Sequence, residues 1–160
     1  MAGQLIIYRN SDVLTVHTGI IAHVANDLGL MSAGIALQIR NKWPQAYTDY
    51  TAFHHSHKEL LSGRVVFTTI TPRLLIAHCI AQHGLKRNFG SPPFRAGWFQ
   101  LCLNELCLEA KERDLPIRMP YGIGCGLAGG SWSLVKGQIE RVCCQQYELD
   151  VHIHKLSRRM

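Results

Sequence analysis

The chain has 160 residues, 47% of them hydrophobic, and 17 Lys and Arg against 11 Asp and Glu give a formal net charge of +6. That length and balance fit one globular domain over 1–160, with a core over about 4–154 and a short basic C-terminal tail, Lys155 to Met160. The apolar runs are far too short to cross a bilayer, and the opening Met1-Ala-Gly-Gln-Leu-Ile-Ile-Tyr-Arg9 lacks the pattern of a secretory leader, so a cytoplasmic location without a membrane partner is expected.

Leu5 to Arg9 reads as a short apolar strand, with turn chemistry at Asn10-Ser-Asp12. Ile20 to Ala25 is a second strand, entered from Gly19. Gly34 to Lys42 has helical spacing and meets Pro44; Gln45 to Leu61 then reads as another helix, stopped at Ser62-Gly63. Val65 to Ile70 and Leu74 to Ile80, joined by Thr71-Pro-Arg73, have the pattern of a hairpin. His83 to Pro93 is a polar loop. Ala96 to Arg113 is a helix with Phe99, Leu103, Leu106 and Ala110 along one side. A strand over 115–120, a glycine loop, a helix over Trp132–Val142 and a last strand, Glu148 to Ile153, complete the chain. Alternating strands and helices with one antiparallel pair predict an α/β fold, a three-layer α/β/α domain with a central mixed sheet.

The most informative stretch is Met119-Pro-Tyr-Gly-Ile-Gly-Cys-Gly-Leu-Ala-Gly-Gly-Ser-Trp132, in which five glycines fall within the nine residues from Gly122 to Gly130. A turn needs fewer. A run of glycines lets the backbone bring bare N–H groups to a ligand, and the helix N-terminus that follows adds positive potential. Holding an anion, most often a phosphate, is the chemistry this suits. Gly124-Cys-Gly-Leu-Ala-Gly129 also matches the dinucleotide fingerprint, but that motif opens a domain, and only one helix and one strand remain here. No Lys-Ser/Thr follows the glycines, which excludes a P-loop. A phosphatase built on Cys125 would want an arginine shortly after it, where position 131 is Ser.

A second polar corner closes the second strand at His23-Val-Ala-Asn-Asp27, before the small-residue loop Leu28 to Gly34. Two such loops at one sheet edge could cradle a diphosphate and its sugar; the alternative is a capped helix start, with Asp27 and Ser32 as the caps. His54-His-Ser-His57 finds no carboxylate or thiol at suitable spacing, so no metal is expected and a solvated helix face is the reading. His78 and Cys79, in an apolar strand, belong to the core. The six cysteines (79, 102, 107, 125, 143 and 144) include no C-x-x-C, and free thiols are the default. Scattered basic residues without an aromatic ladder argue against nucleic acid as the main partner and suit a small anionic ligand.

On Tyr8-Arg-Asn-Ser-Asp-Val13, on His23-Val-Ala-Asn-Asp-Leu-Gly-Leu-Met-Ser-Ala-Gly-Ile-Ala36 and on Met119 to Trp132, the chain resembles a stand-alone macro domain. That family binds ADP-ribose and its derivatives. The resemblance runs over nearly the whole chain and is nearest the branch of ADP-ribose 1''-phosphate phosphatases and terminal ADP-ribose protein glycohydrolases, which has short bacterial and bacteriophage members. It implies that Asp12 accepts a hydrogen bond from the adenine amino group, with the Val13 backbone beside it, and that Asn26 faces the distal ribose. Met31, Ser32, Ala33, Gly34 and Ile35 resemble the loop around the diphosphate and that ribose. Ile123, Gly124, Cys125, Gly126, Leu127 and Ala128 resemble the second phosphate loop, and His152 or His154 falls near the adenine.

The glycohydrolases of this branch use a lysine just after the strand equivalent to 74–80 and an aspartate in the second glycine loop. Here those positions are Gln82 and Ala128, so the lysyl covalent route lacks both nucleophile and acid. Lys86, in the loop, is the lysine that could substitute. The expected function is ADP-ribose binding with hydrolysis of a small derivative, such as ADP-ribose 1''-phosphate or an ADP-ribosyl ester. Asn26, with Asp27 or His23, would position the attacked group or its water. The alternative is a non-catalytic binder that recognises or sequesters ADP-ribose-type nucleotide signals. No cofactor is implied, and a monomer is the expected state.

Overall fold

The computed structural model describes residues 1–85 and 91–156; Lys86 and the tail from Ser157 lie outside them. Six strands form one sheet, β1 (Leu5–Arg9), β2 (Gly19–Asn26), β3 (Val65–Thr71), β4 (Leu74–Gln82), β5 (Ile117–Pro120) and β6 (Val151–Lys155), in the order β1-β6-β5-β2-β4-β3. All neighbours pair parallel except β3, which is antiparallel to β4. This is the mixed sheet that the hairpin signal and the strand–helix alternation predict.

β2 and β4 are apolar almost without interruption because they are covered on both faces. On one face Ile20, Ala22, Leu75 and Ala77 pack with Phe99, Leu103 and Leu106 of α3 (Ala96–Arg113) and with Val135 and Ile139 of α4 (Trp132–Ile139). On the other, Ile21, Ile76 and Ile80 meet Ile39 of α1 (Gly34–Lys42) and Ala46 and Tyr50 of α2 (Pro44–Ser56). His78 and Cys79 are fully buried. Among the described residues no helix is long and apolar enough to cross a membrane.

Three element boundaries differ most from those read in the sequence. Helix α2 stops at Ser56 rather than Leu61: the Phe53 carbonyl is closed by His57 N, and Leu60, 64% exposed, gains little burial that would hold another turn. The helix from Trp132 changes pitch after Ile139 and continues as a π-helical stretch, Glu140–Gln146. The last strand begins at Val151 rather than Glu148, whose φ of +57° takes the chain out of the helix while Leu149 N donates to Cys143 O.

The topology places the site. The five parallel strands end on one edge of the sheet, at Arg9, Lys155, Pro120, Asn26 and Gln82. β2 and β5 are neighbours, yet β2 continues to α1 on one face and β5 to α4 on the other. The chain thus parts at that point and leaves a crevice beyond the carboxyl ends of the strands, the usual ligand position in such sheets.

Candidate functional site

The first wall of the crevice is the β2–α1 loop, organised around Asn26. An extra residue in β4 shifts the register between Ala25 and Asn26, a bulge that re-aims the strand end. The Asn26 side-chain carbonyl accepts from Leu28 N at 2.9 Å, Leu30 N at 3.3 Å and the Tyr50 hydroxyl at 2.8 Å, and its amide donates to Leu30 O at 2.9 Å. An asparagine amide carries two N–H bonds, so one is left over at the cavity wall. Asp27 turns away from the crevice. Its carboxylate accepts from His83 Nδ1 at 2.7 Å and Gly84 N at 2.8 Å, fastening the end of β4 to that of β2.

Neither Asp27 nor Ser32 caps α1. The N-cap is Ala33, which has no capping side chain, and the helix opens on Gly34 at φ +57°. Its first-turn N–H groups, which have no intrahelical acceptor, face the cavity with Gly34, Ile35 and Ala36 in the wall. His54 is not on a solvated face either: its Nε2 donates to Asp27 O at 3.1 Å, and Gly29 packs against its ring.

The glycine loop forms the opposite wall. Gly122, Gly124 and Gly129 have positive φ, and a Cβ on Gly124 would meet the Phe94 ring at 2.8 Å. Phe94 N donates to Ala128 O, so this ring and its backbone fasten the loop. Loop turns use the N–H groups of Ile123, Cys125, Gly129 and Gly130. Those of Gly126, Leu127 and Ala128 have no partner among the described residues and lie on the cavity wall. A Cβ on Gly126 would point into open space, whereas one on Gly34 would touch Leu127 at 3.7 Å. The two loops therefore face each other across the cleft.

Two cavities share Ile35, Pro120 and Tyr121. One, of about 480 Å³, runs between the loops past Asn26 and Gln82. The other, of about 880 Å³, opens toward β1 and β6 and contains Asp12, Val13, Gln38 and His154. Both volumes fall in the range of small-molecule sites. Asp12 spends one carboxylate oxygen on Leu14 N at 2.9 Å; the other has no partner among the described residues. Arg118 Nη1 donates to His154 Nε2 at 3.2 Å, so the His154 proton sits on Nδ1 and goes to Ser11 Oγ at 2.7 Å. Burial, and then the charge of Arg118, holds the His154 pKa below the ordinary histidine value.

Most residues picked from the sequence meet here: Asp12, Val13 and His154 in the larger cavity, and Asn26, Ser32, Ala33, Gly34, Ile123, Gly124, Gly126, Leu127 and Ala128 in the smaller, with Ile35 in both. Four side chains do not line the walls. Met31 is buried in the core, Cys125 turns its thiol to Ile123 O, His152 binds the Tyr8 hydroxyl outside the cavity, and Asp27 holds His83. His23 also lines the smaller cavity, but its imidazole is fully buried against His78 Nδ1 at 2.8 Å, and burial lowers its pKa to about 4. The loop lysine Lys86 falls outside the described residues.

The sequence matches no protein-family model and no curated protein. Solved structures do match. A protein of unknown function from Bacteroides thetaiotaomicron is similar at a TM-score of 0.88 and 30% identity, over 98% of this chain and 100% of that one. A macrodomain protein from Streptomyces coelicolor is similar at a TM-score of 0.76 and 29% identity, over 92% of this chain and 97% of that one. The chain has the macrodomain fold. The DarTG of Thermosipho africanus, solved in complex with ADP-ribose, matches at a TM-score of 0.75 and 18% identity, over 97% of this chain and 43% of that one.

Three residues of the site escape sequence reasoning. Tyr121 joins the two cavities, tilted against Trp132 at 4.8 Å between centroids; its place at the mouth of the glycine loop was the one available signal. Tyr50 and Phe94 act from a helix and a distant loop, and nothing local in the sequence marks either.

Proposed function

We propose that this macrodomain binds ADP-ribose. The observation that carries the reading is the pair of opposed backbone segments, Gly34–Ala36 and Gly126–Ala128, whose unpartnered N–H groups face one cleft. A diphosphate fits between such donors, which need no metal to complete them. The adenine belongs in the larger cavity, where the free Asp12 oxygen accepts from its amino group and neutral His154 lies against it. The distal ribose belongs beside Asn26. The solved complex of the Thermosipho relative with ADP-ribose supports ADP-ribose as the ligand. A cytoplasmic location and a single domain are part of this proposal. Calorimetry with ADP-ribose tests it, with a one-to-one isotherm expected.

A second reading adds hydrolysis of a small derivative such as ADP-ribose 1''-phosphate, favoured by the remaining Asn26 N–H at the distal end. An amide orients but does not take a proton at neutral pH. Asp27, the adjacent acid, would first have to release His83 and Gly84. With Gln82 and Ala128 in the wall, the lysyl route is no part of this reading. Phosphate release from the 1''-phosphate, lost in Asn26→Ala and kept in Lys86→Ala, is its test; binding without release leaves the binder.

A further inference from the structure

The larger cavity holds more positive charge than an adenosine needs. Arg9 and Lys155 end adjacent parallel strands in matching register, and both line it. Neither has a carboxylate within ion-pair distance among the described residues. The one acid in that cavity is Asp12, already assigned to a neutral base. His154 accepts from Arg118 Nη1 through Nε2, and burial, then the Arg118 charge, disfavours its charged form. The Lys155 ammonium sits 4.4 Å above the ring of Tyr121, which lies where the two cavities join. Lys155 therefore stands by the stretch between base and diphosphate, with Arg9 in register on the next strand, while the diphosphate has its own N–H donors on the far side of Tyr121.

We infer that this cation pair is a second phosphate subsite, and that the preferred ligand carries a phosphate monoester on its adenosine ribose. The inference rests on the ADP-ribose reading above and narrows its ligand class. The guanidinium of Arg9 offers a planar fork that matches two phosphate oxygens, and Lys155 supplies a mobile point charge beside it. Tyr121 carries Lys155 over the junction through a cation–π contact. A nucleotide without the extra phosphate leaves both charges hydrated at the rim; one that bears it exchanges that water for two charge-assisted contacts.

Calorimetry on the full chain with ADP-ribose, ADP-ribose 2'-phosphate and the 3'-phosphate isomer tests the subsite. At least one phosphorylated form is expected to bind about tenfold or more tightly than ADP-ribose, and the preference should shrink as salt rises. In Arg9→Gln combined with Lys155→Gln the ratio should fall to about one to threefold, with thermal unfolding recorded to show that the variant is folded. Equal wild-type affinity for all three ligands, or a preference that survives both substitutions, overturns the subsite alone. Failure of ADP-ribose and both phosphorylated forms to bind removes the underlying reading as well.

Discussion

The Tyr50 hydroxyl, carried on α2 beneath the sheet, lies 2.8 Å from the Asn26 side-chain carbonyl and accepts from Gly29 N at 3.1 Å. One phenol thus fixes both ends of the turn that shapes the distal wall. Tyr50→Phe leaves Gly29 N–H buried without a partner, which costs about 1–3 kcal/mol. Chemical denaturation should show that loss, and ADP-ribose should bind more weakly because the loop is no longer held. Unchanged stability would mean that the turn holds itself.

Asp12 has two tasks, and two substitutions separate them. Asp12→Asn keeps an oxygen for Leu14 N but gives up the charge that receives an adenine amino group; affinity for ADP-ribose should fall by about 1.5–3 kcal/mol with little change in stability. Asp12→Ala loses the turn as well and should show both effects. GDP-ribose should bind the parent poorly, since guanine presents a carbonyl where adenine presents an amine. Intact affinity in Asp12→Asn would remove Asp12 from the base.

Gly126 and Gly124 should part company. Gly126 lacks a positive φ and has open space at its Cβ, so Gly126→Val should fold normally and lose ligand by filling the cleft. Gly124 has φ +75° and the Phe94 ring at 2.8 Å, so Gly124→Val should lower the melting temperature itself. Ligand binding by a folded Gly126→Val would place the phosphate elsewhere.

His23 and His78 set an acid limit on stability. Both pKa values fall below the ordinary 6.5 because burial penalises the imidazolium, His23 to about 4, with His78 lowered further by its partner. The unfolded chain therefore takes up protons first as pH drops; the stability that neutral His23 contributes above pH 6.5 is lost as pH falls from 6.5 to about 4, and His78 acts in the same direction. Denaturant titrations across that window check it; a flat profile would show that burial does not lower these pKa values in the fold.

Local signals made much of this legible. α1 and α3 start and stop where periodicity, and for α1 Pro44, say they should, and the glycine run marked a cavity wall. What was hidden depends on distance in the chain. Asp27 looks like a helix cap until His83 is brought to it across the strand ends, and His54 looks solvated until the turn after Asn26 folds onto it. Met31 and Cys125 sit among cavity residues in sequence, but their side chains take the opposite side of the loop. Gly126 itself lacks a positive φ; Gly122, Gly124 and Gly129 carry the turn.

The most direct measurement is calorimetric titration with ADP-ribose, NAD and AMP side by side. Two opposed N–H segments with an adenosine cavity at one end and the Asn26 corner at the other call for a diphosphate with a free terminal ribose. One-to-one binding of ADP-ribose, tighter than NAD and AMP, is the expected result. Binding of NAD as tight as or tighter than ADP-ribose, or no heat with any of the three, would contradict it.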